Sequence, residues 1–360
     1  MTTTTNTTRT EVSASYEPTV GGPAPELKDQ AGALSAHAAG LVGSRIIALG
    51  IRNGLIEAAA AMDEFTAEDL AAKAKVDAFY TKVWSRGAFA AGVLEAEDGG
   101  RYRLGPHMAT LLLDKTSPAF AGGLFTIMEQ PEIFDSFSAN LRSGEKTWWD
   151  QTTNDFIHAV ADTGGAFNNR FIPEGMLKVP GVAAIAQLGE SRMLEMACGT
   201  GYGLVRAARS FPEMRLVGLD GDSYSLEIAE TRLAEAGFSD RVELVESTME
   251  EFEAEERYDL ITVNVSMHEC RDIELVTASV HAALRPGGYF LNSDFAFPAT
   301  GDGLRTVAGR IMTGIQLFEA QIDDQLVTVE FYLDLLGRHG FTDVGSTELN
   351  PIHAITYGRK

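Results

Sequence analysis

Cysteine is nearly missing from this chain of 360 residues, where Cys198 and Cys270 are the only two. Neither lies in a Cys-x-x-Cys pair or at metal-ligand spacing from a histidine, which argues against a disulfide scaffold and a structural zinc module. Cations are scarce as well. Lys and Arg total 29 against 51 Asp and Glu, a net charge of −22, and so acidic a surface repels phosphate backbones. The sequence has no run of about 18 consecutive apolar residues, and residues 1–15 are threonine-rich without an apolar leader segment. The expectation is a soluble protein of the reducing cytoplasm, bound neither to nucleic acid nor to a membrane.

What is present divides into segments. Residues 1–29 combine threonines with Gly21, Gly22, Pro23 and Pro25 and have few large apolar side chains, so they read as a disordered arm. Residues 30–116 open with a helical pattern. Thr66, followed three residues later by Asp69, caps one short helix, and Asp77 caps a second over 78–91 that stops at Gly92. Val93-Leu94-Glu95, the turn Asp98-Gly99-Gly100 and Arg101-Tyr102-Arg103-Leu104 then read as a hairpin, which completes a winged helix-turn-helix. Over residues 35–116 nine Lys and Arg face ten Asp and Glu, and the would-be recognition helix offers only Lys82 and Arg86 among Phe79, Tyr80, Val83, Trp84 and Phe89. Such a face suits a protein partner better than DNA.

Residues 117–188 are helical and rich in aromatics, either as a connector packing its own core or as walls of a substrate pocket. From 189 to 360, short apolar runs alternate with helical stretches, as in a parallel sheet with crossover helices. Strands are expected over 192–197, 215–220, 241–246, 258–265 and 289–294, and a closing hairpin over 341–349 and 353–357.

The first of these strands runs into Cys198-Gly199-Thr200-Gly201-Tyr202-Gly203 and then a helix. A dinucleotide loop would have its third glycine at Leu204, and a phosphate loop would continue with Gly-Lys-Ser/Thr, so both readings weaken. Glu195, four residues before Gly199, suits a ligand bearing an ammonium and a sulfonium. Asp220, ending the next strand with Gly221 after it, is placed to accept from a ribose diol.

Leu194-Glu195-Met196-Ala197-Cys198-Gly199-Thr200-Gly201 resembles the first motif of class I S-adenosylmethionine-dependent methyltransferases, with Ala197 where the family usually has glycine. Leu284-Arg285-Pro286-Gly287-Gly288-Tyr289-Phe290 resembles the turn into their fifth strand. The resemblance implies an α/β, Rossmann-like seven-stranded sheet with an N-terminal, mainly helical winged-helix domain that dimerises, as in small-molecule O-methyltransferases. It implies S-adenosylmethionine as cofactor, held by Glu195, Gly199, Gly201, Asp220 and Gly221. Thr248 and Met249 would flank the adenine, and Asn264 would close over the sulfonium side. For Met249 an ordinary core position stays open.

Met267-His268-Glu269-Cys270-Arg271-Asp272 resembles the Leu-His-Asp-Trp-x-Asp segment of that subgroup, with His268 at the base position. Glu269 stands for aspartate and Cys270 for tryptophan. A histidine is a natural base for an acceptor that loses a proton, and Glu269 is expected to orient it, bind a substrate ammonium or favour the helix start. A structural role for His268 also stays open. Phe167-Asn168-Asn169-Arg170-Phe171 resembles the Phe-Asn-x-x-Met segment that lines the acceptor pocket. Phe167 and Phe171, with Asp294 and Phe297 beyond the fifth strand, are the expected substrate contacts. Ile311, Ile315, Phe318 and Ile322 recur at helical spacing, as a lid or as packing, with Gln316, Glu319 and Asp323 on other faces. No other histidine shows motif spacing to His268, so no metal is expected. The resulting expectation is a homodimeric enzyme that methylates a secondary metabolite at oxygen. Alternatives are carbon or nitrogen methylation, a ligand-sensing transcriptional regulator on the same fold, and a non-methylating rearrangement.

Overall fold

A computed structural model describes residues 25–147 and 149–360. Nearly all of the expected N-terminal arm therefore lies outside the described residues, and by Leu27 the chain is already helical. The chain divides into two compact units. One holds Phe134–Thr152 and Phe167–Lys360; the described part of the other holds residues 25–133 and Thr153–Ala166.

The first unit is built on a seven-stranded sheet. In the order β5-β4-β3-β6-β7-β9-β8 its strands are Val242–Glu246 (β5), Arg215–Asp220 (β4), Arg192–Met196 (β3), Tyr258–Asn264 (β6), Leu284–Phe295 (β7), His353–Arg359 (β9) and Thr342–Asn350 (β8). The pairs from β5 to β7 are parallel, whereas β9 runs antiparallel to both β7 and β8. Expected strands and hairpin are all present, with ends shifted by a few residues. The turn at Arg285-Pro286-Gly287-Gly288 is absorbed into β7 as an irregularity, since Tyr258 pairs with Leu284 but Leu260 already pairs with Tyr289.

Alternation along the strands feeds two cores. Met193, Leu216, Leu260 and Leu291 face one side, with Leu204, Ala207 and Phe171. Leu194, Val217, Ile261 and Phe290 face the other, with Val276, Val280 and Leu335. The sheet order reverses between β3 and β6, and open α/β sheets bind ligands beyond the carboxyl ends of strands at such a switch point.

The second unit is mainly helical. Thr66 and Asp69 form the reciprocal capping box before the helix Ala67–Ala74, and Asp77 accepts from the Tyr80 amide at the head of the helix Ala78–Ala90. Leu94–Glu97 (β1) and Arg101–Leu104 (β2) pair as the wing, which Phe65 extends by exchanging both backbone hydrogen bonds with Tyr102. Its core gathers Ile56, Phe65, Leu70, Trp84 and Leu94. The outer side of Ala78–Ala90 leaves Phe79, Tyr80, Val83 and Phe89 exposed.

The long helix Leu27–Arg52 differs from expectation. By length and composition it is apolar enough to cross a membrane, with only 11% of its most apolar window buried. Its exposed apolar residues include Leu27, Leu34 and Leu41, which recur every seventh position as in an interhelical seam.

Candidate active site

The loop at the end of β3 turns through left-handed backbone at Ala197 (φ 51°), Gly199 (φ 51°) and Gly201 (φ 73°). Glycine pays nothing there, whereas Ala197 carries the strain of a Cβ in that region, about 1–2 kcal/mol. The departure from the family's glycine therefore falls on a residue whose backbone asks for one. Two anchors hold the loop. Arg232 donates from Nη1 to the carbonyl and hydroxyl of Thr200 at 2.5 and 2.6 Å, and Asp220 Oδ2 accepts from the Gly199 amide at 2.7 Å. Asp220 Oδ1 accepts from the Asp222 amide at 2.9 Å. Burial pushes the Asp220 carboxyl above its ordinary value against the pull of these amides.

Glu195 lies beneath this loop. It is 2% exposed, and its Oε2 has no hydrogen-bond partner, a condition shared by Asn168 Oδ1. A Cβ added at Gly203 would collide with Glu195 Oε1 and crowd Asn168 Oδ1, so Gly203 is what lets both oxygens reach the first turn of the helix Tyr202–Ser210. Burial, reinforced by the Asp220 charge, pushes the Glu195 carboxyl up to about 8. An acid held in this way lacks a cation. Gly221 follows Asp220 against Thr248, while Thr248 is exposed and Met249 half-buried beside the second core.

The end of β6 supplies the other half. Val265 sits at φ 59°, a strained backbone conformation for a β-branched residue. The short helix Met267–Glu269 that follows brings His268 into the interior at 5% exposure. Its Nδ1 lies 2.9 and 3.0 Å from the two oxygens of Asp294, which also accept from Tyr332 Oη at 2.6 Å and from the Phe295 amide at 2.7 Å. Asp294, expected against the acceptor, is instead buried and spent on His268 and Tyr332. Asp294, not Glu269, is the carboxylate that lies against Nδ1. Because Asp294 accepts, Nδ1 carries a proton in either charge state, and Nε2 is bare when the ring is neutral. Burial pulls the His268 pKa down, and the Asp294 and Glu319 carboxylates overcome it, so it stands well above 6.5.

Glu319, expected on another face than the apolar stripe, is buried on the helix Val307–Glu319 together with Met312, Ile315 and Phe318. Its Oε2 lies 3.7 Å from His268 Nε2. With Glu269 it gives three ligand-type side chains whose nearest atoms all lie within 4.8 Å of one another. The neighbours of His268 here are carboxylates, not histidines, and one of them lies 51 residues farther along the chain.

Around this centre Phe167 meets Phe295 edge-on at 5.0 Å, and Phe295 meets the His268 ring at 5.9 Å. Phe167 is thus brought toward His268, whereas Phe171 is packed into the first core with Leu204 and Ile355. Phe297 is half-buried and bridges to Thr328. Asn264 ends a relay that the sequence did not reveal. Arg170 Nε donates to His353 Nδ1 at 3.2 Å, which leaves the proton on Nε2, 2.7 Å from Ser293 Oγ, and the Ser293 hydroxyl donates to Asn264 Oδ1 at 2.7 Å. Burial and the Arg170 charge hold the His353 pKa well below 6.5, in keeping with that neutral tautomer. Both cysteines are free and buried.

A glycine loop after the first strand of a doubly wound sheet, an acid ending the next strand, and an antiparallel last strand inserted beside β7 define a methyltransferase fold of class I. Residues 193–288 match the family model described as a methyltransferase domain. It is 31% identical over 106 residues to a malonyl-acyl-carrier-protein O-methyltransferase of Priestia megaterium, covering 29% of this chain and 37% of that one. It is 28% identical over 152 residues to the ubiquinone/menaquinone biosynthesis C-methyltransferase UbiE of Brucella anthropi, covering 40% and 57%. The match thus spans about a third to just over half the length of these curated relatives. The fold extends further, since human N-acetylserotonin methyltransferase solved with SAM superposes with a TM-score of 0.67 at 16% identity, over 94% of this chain and 99% of that one.

Proposed function

We propose that this protein transfers a methyl group from S-adenosylmethionine to a small-molecule acceptor, at oxygen, with His268 as the group through which the acceptor loses its proton. The observation that carries this reading is the pairing of two buried, unpartnered atoms at the switch point, Glu195 Oε2 below the glycine loop and His268 Nε2 beyond β6. One calls for a cation and the other for a proton donor.

When bound, the cofactor supplies an electrophilic methyl on a sulfonium, so the protein's task is alignment and proton removal. In this reading Glu195 meets the cationic end, with Gly199 and Gly201 shaping the backbone around it. Asp220 and Gly221 hold the ribose, Thr248 and Met249 flank the adenine, and Asn264, fixed by Ser293 and His353, borders the sulfonium. Asp294 keeps the His268 ring in one tautomer, and Phe167 and Phe297 wall the acceptor. Oxygen is favoured because the Priestia megaterium relative is an O-methyltransferase. Carbon methylation is the second reading, favoured by the UbiE relative and by Glu269 and Cys270 standing where the O-methyltransferase motif has aspartate and tryptophan.

Residues 189–360 form the cofactor domain in this proposal, residues 117–188 supply Phe167 to the acceptor side, and residues 30–116 form a homodimer. The seam Leu27, Leu34, Leu41 and the exposed aromatics of Ala78–Ala90 support a second copy as the partner rather than DNA. Free thiols suit a reducing cytoplasm.

The test is turnover of methyl-labelled cofactor with a panel of phenols, enols and amines. A labelled product is expected, and His268→Ala should bind cofactor normally while losing about 10²-fold or more in turnover. Unchanged turnover rejects the proton-removal role.

A further inference from the structure

The base reading accounts for His268 and leaves two carboxylates without a task. A histidine base needs one carboxylate to orient it, and Asp294 does this at Nδ1. Glu269 and Glu319 bring two more to the opposite nitrogen. Nε2 and Glu319 Oε2 are 3.7 Å apart, too far for a hydrogen bond, and neither has a hydrogen-bond partner. His268 is 5% and Glu319 4% exposed, so both are withdrawn from bulk solvent. A buried carboxylate oxygen without a hydrogen bond is costly, and a cation among these groups removes that cost.

We propose that His268 Nε2, Glu269 and Glu319 hold a divalent first-row transition ion. One imidazole and two carboxylates match the mixed preferences of Mn²⁺, Fe²⁺ or Zn²⁺, whereas Ca²⁺ takes oxygen alone and Cu⁺ takes sulfur. Metal-bound histidines almost always donate their other ring N–H to a carboxylate, backbone carbonyl or water, and His268 makes the first of these bonds, to Asp294. Three protein ligands leave positions open for oxygens of an incoming molecule. Glu269 is the one of the three that is not fully buried.

The ion's use rests on the methyltransferase reading, though its binding does not. An acceptor oxygen on the ion is stabilised as its anion, so the ion withdraws the proton and Nε2 serves as ligand instead of base. The substrate class then narrows to acceptors that present a ligating oxygen next to the atom that is methylated.

The experiment uses the full chain, stripped with a chelator and titrated calorimetrically with Zn²⁺ and, separately, Mn²⁺. One ion per chain is expected, with Glu319→Gln and Glu269→Gln each weakening it at least tenfold while Glu274→Gln, on the remote helix Ile273–Ala283, leaves it unchanged. Titration of the same samples with S-adenosylhomocysteine reports both folding and the cofactor site. Ion binding without S-adenosylhomocysteine binding upholds the ion and rejects the methyltransferase reading. S-adenosylhomocysteine binding without a saturable ion, or ion binding indifferent to both substitutions, overturns the proposal.

Discussion

Asp294 accepts from His268 Nδ1 at 2.9 Å while its other oxygen accepts from Tyr332 Oη at 2.6 Å, so one buried carboxylate fixes both the tautomer and the direction of the imidazole. Asp294→Asn keeps the shape but removes an acceptor and offers an amide that competes for Nδ1. Turnover is expected to fall about 10²-fold or more with cofactor affinity unchanged. Tyr332→Phe removes only the outer bond, costing about 1 kcal/mol of stability and a smaller share of turnover. Steady-state kinetics beside denaturant melts check both, and equal turnover in Asp294→Asn and wild type would dismiss the orienting role.

Glu195 makes stability depend on pH. Its folded pKa of about 8 exceeds the ordinary 4.5, so folding favours the protonated carboxyl. The stability it contributes is full below about pH 4.5 and is lost as pH rises through 8. Glu195→Gln, which cannot ionise, should gain on wild type in melting temperature between pH 5 and pH 8. A constant difference across that range would show that Glu195 ionises freely.

The cofactor's cation reverses this preference. Binding beside Glu195 should expel its proton, so calorimetry near pH 7 in buffers of different ionisation enthalpy should detect close to one proton released per cofactor. No release would separate Glu195 from the cation.

Ala197 holds φ 51° in the glycine loop. Relief of its Cβ strain outweighs the added freedom of the unfolded chain, so Ala197→Gly should stabilise by about 0.5–1 kcal/mol. Thermal denaturation measures it, and a loss of stability would contradict the strain.

Leu34→Glu combined with Leu41→Glu places charges on the exposed seam of Leu27–Arg52. Light scattering should show a dimer for wild type and a monomer for the double variant. A wild-type monomer would remove the dimerisation role.

Local signals were readable from the chain. The Thr66–Asp69 capping box, Asp77 and the alternating strands depend on neighbours a few residues apart, and each formed as its chemistry requires. The glycine loop and Asp220 were legible for the same reason, being a strand end, a turn and the next strand end. What escaped notice is assembled across distance. Tyr332 meets Asp294 from 38 residues away, and His353 meets Ser293 from 60. Glu319 has a local sign: it stands four residues after Ile315 and seven after Met312, so the buried stripe that carries those residues is wide enough to include it. Phe171 shows the converse. The resemblance to Phe-Asn-x-x-Met implies a pocket position for it, but the ring packs into the core, next to Ile172, where the backbone leaves α geometry.

The central claim is that the loop from Met193 and the acid at Asp220 hold S-adenosylmethionine. Titrating the full chain calorimetrically with S-adenosylhomocysteine tests it most directly. The account predicts saturable binding at one site per chain that Asp220→Ala weakens at least tenfold. Absence of saturable binding, or affinity unchanged in Asp220→Ala, would contradict it.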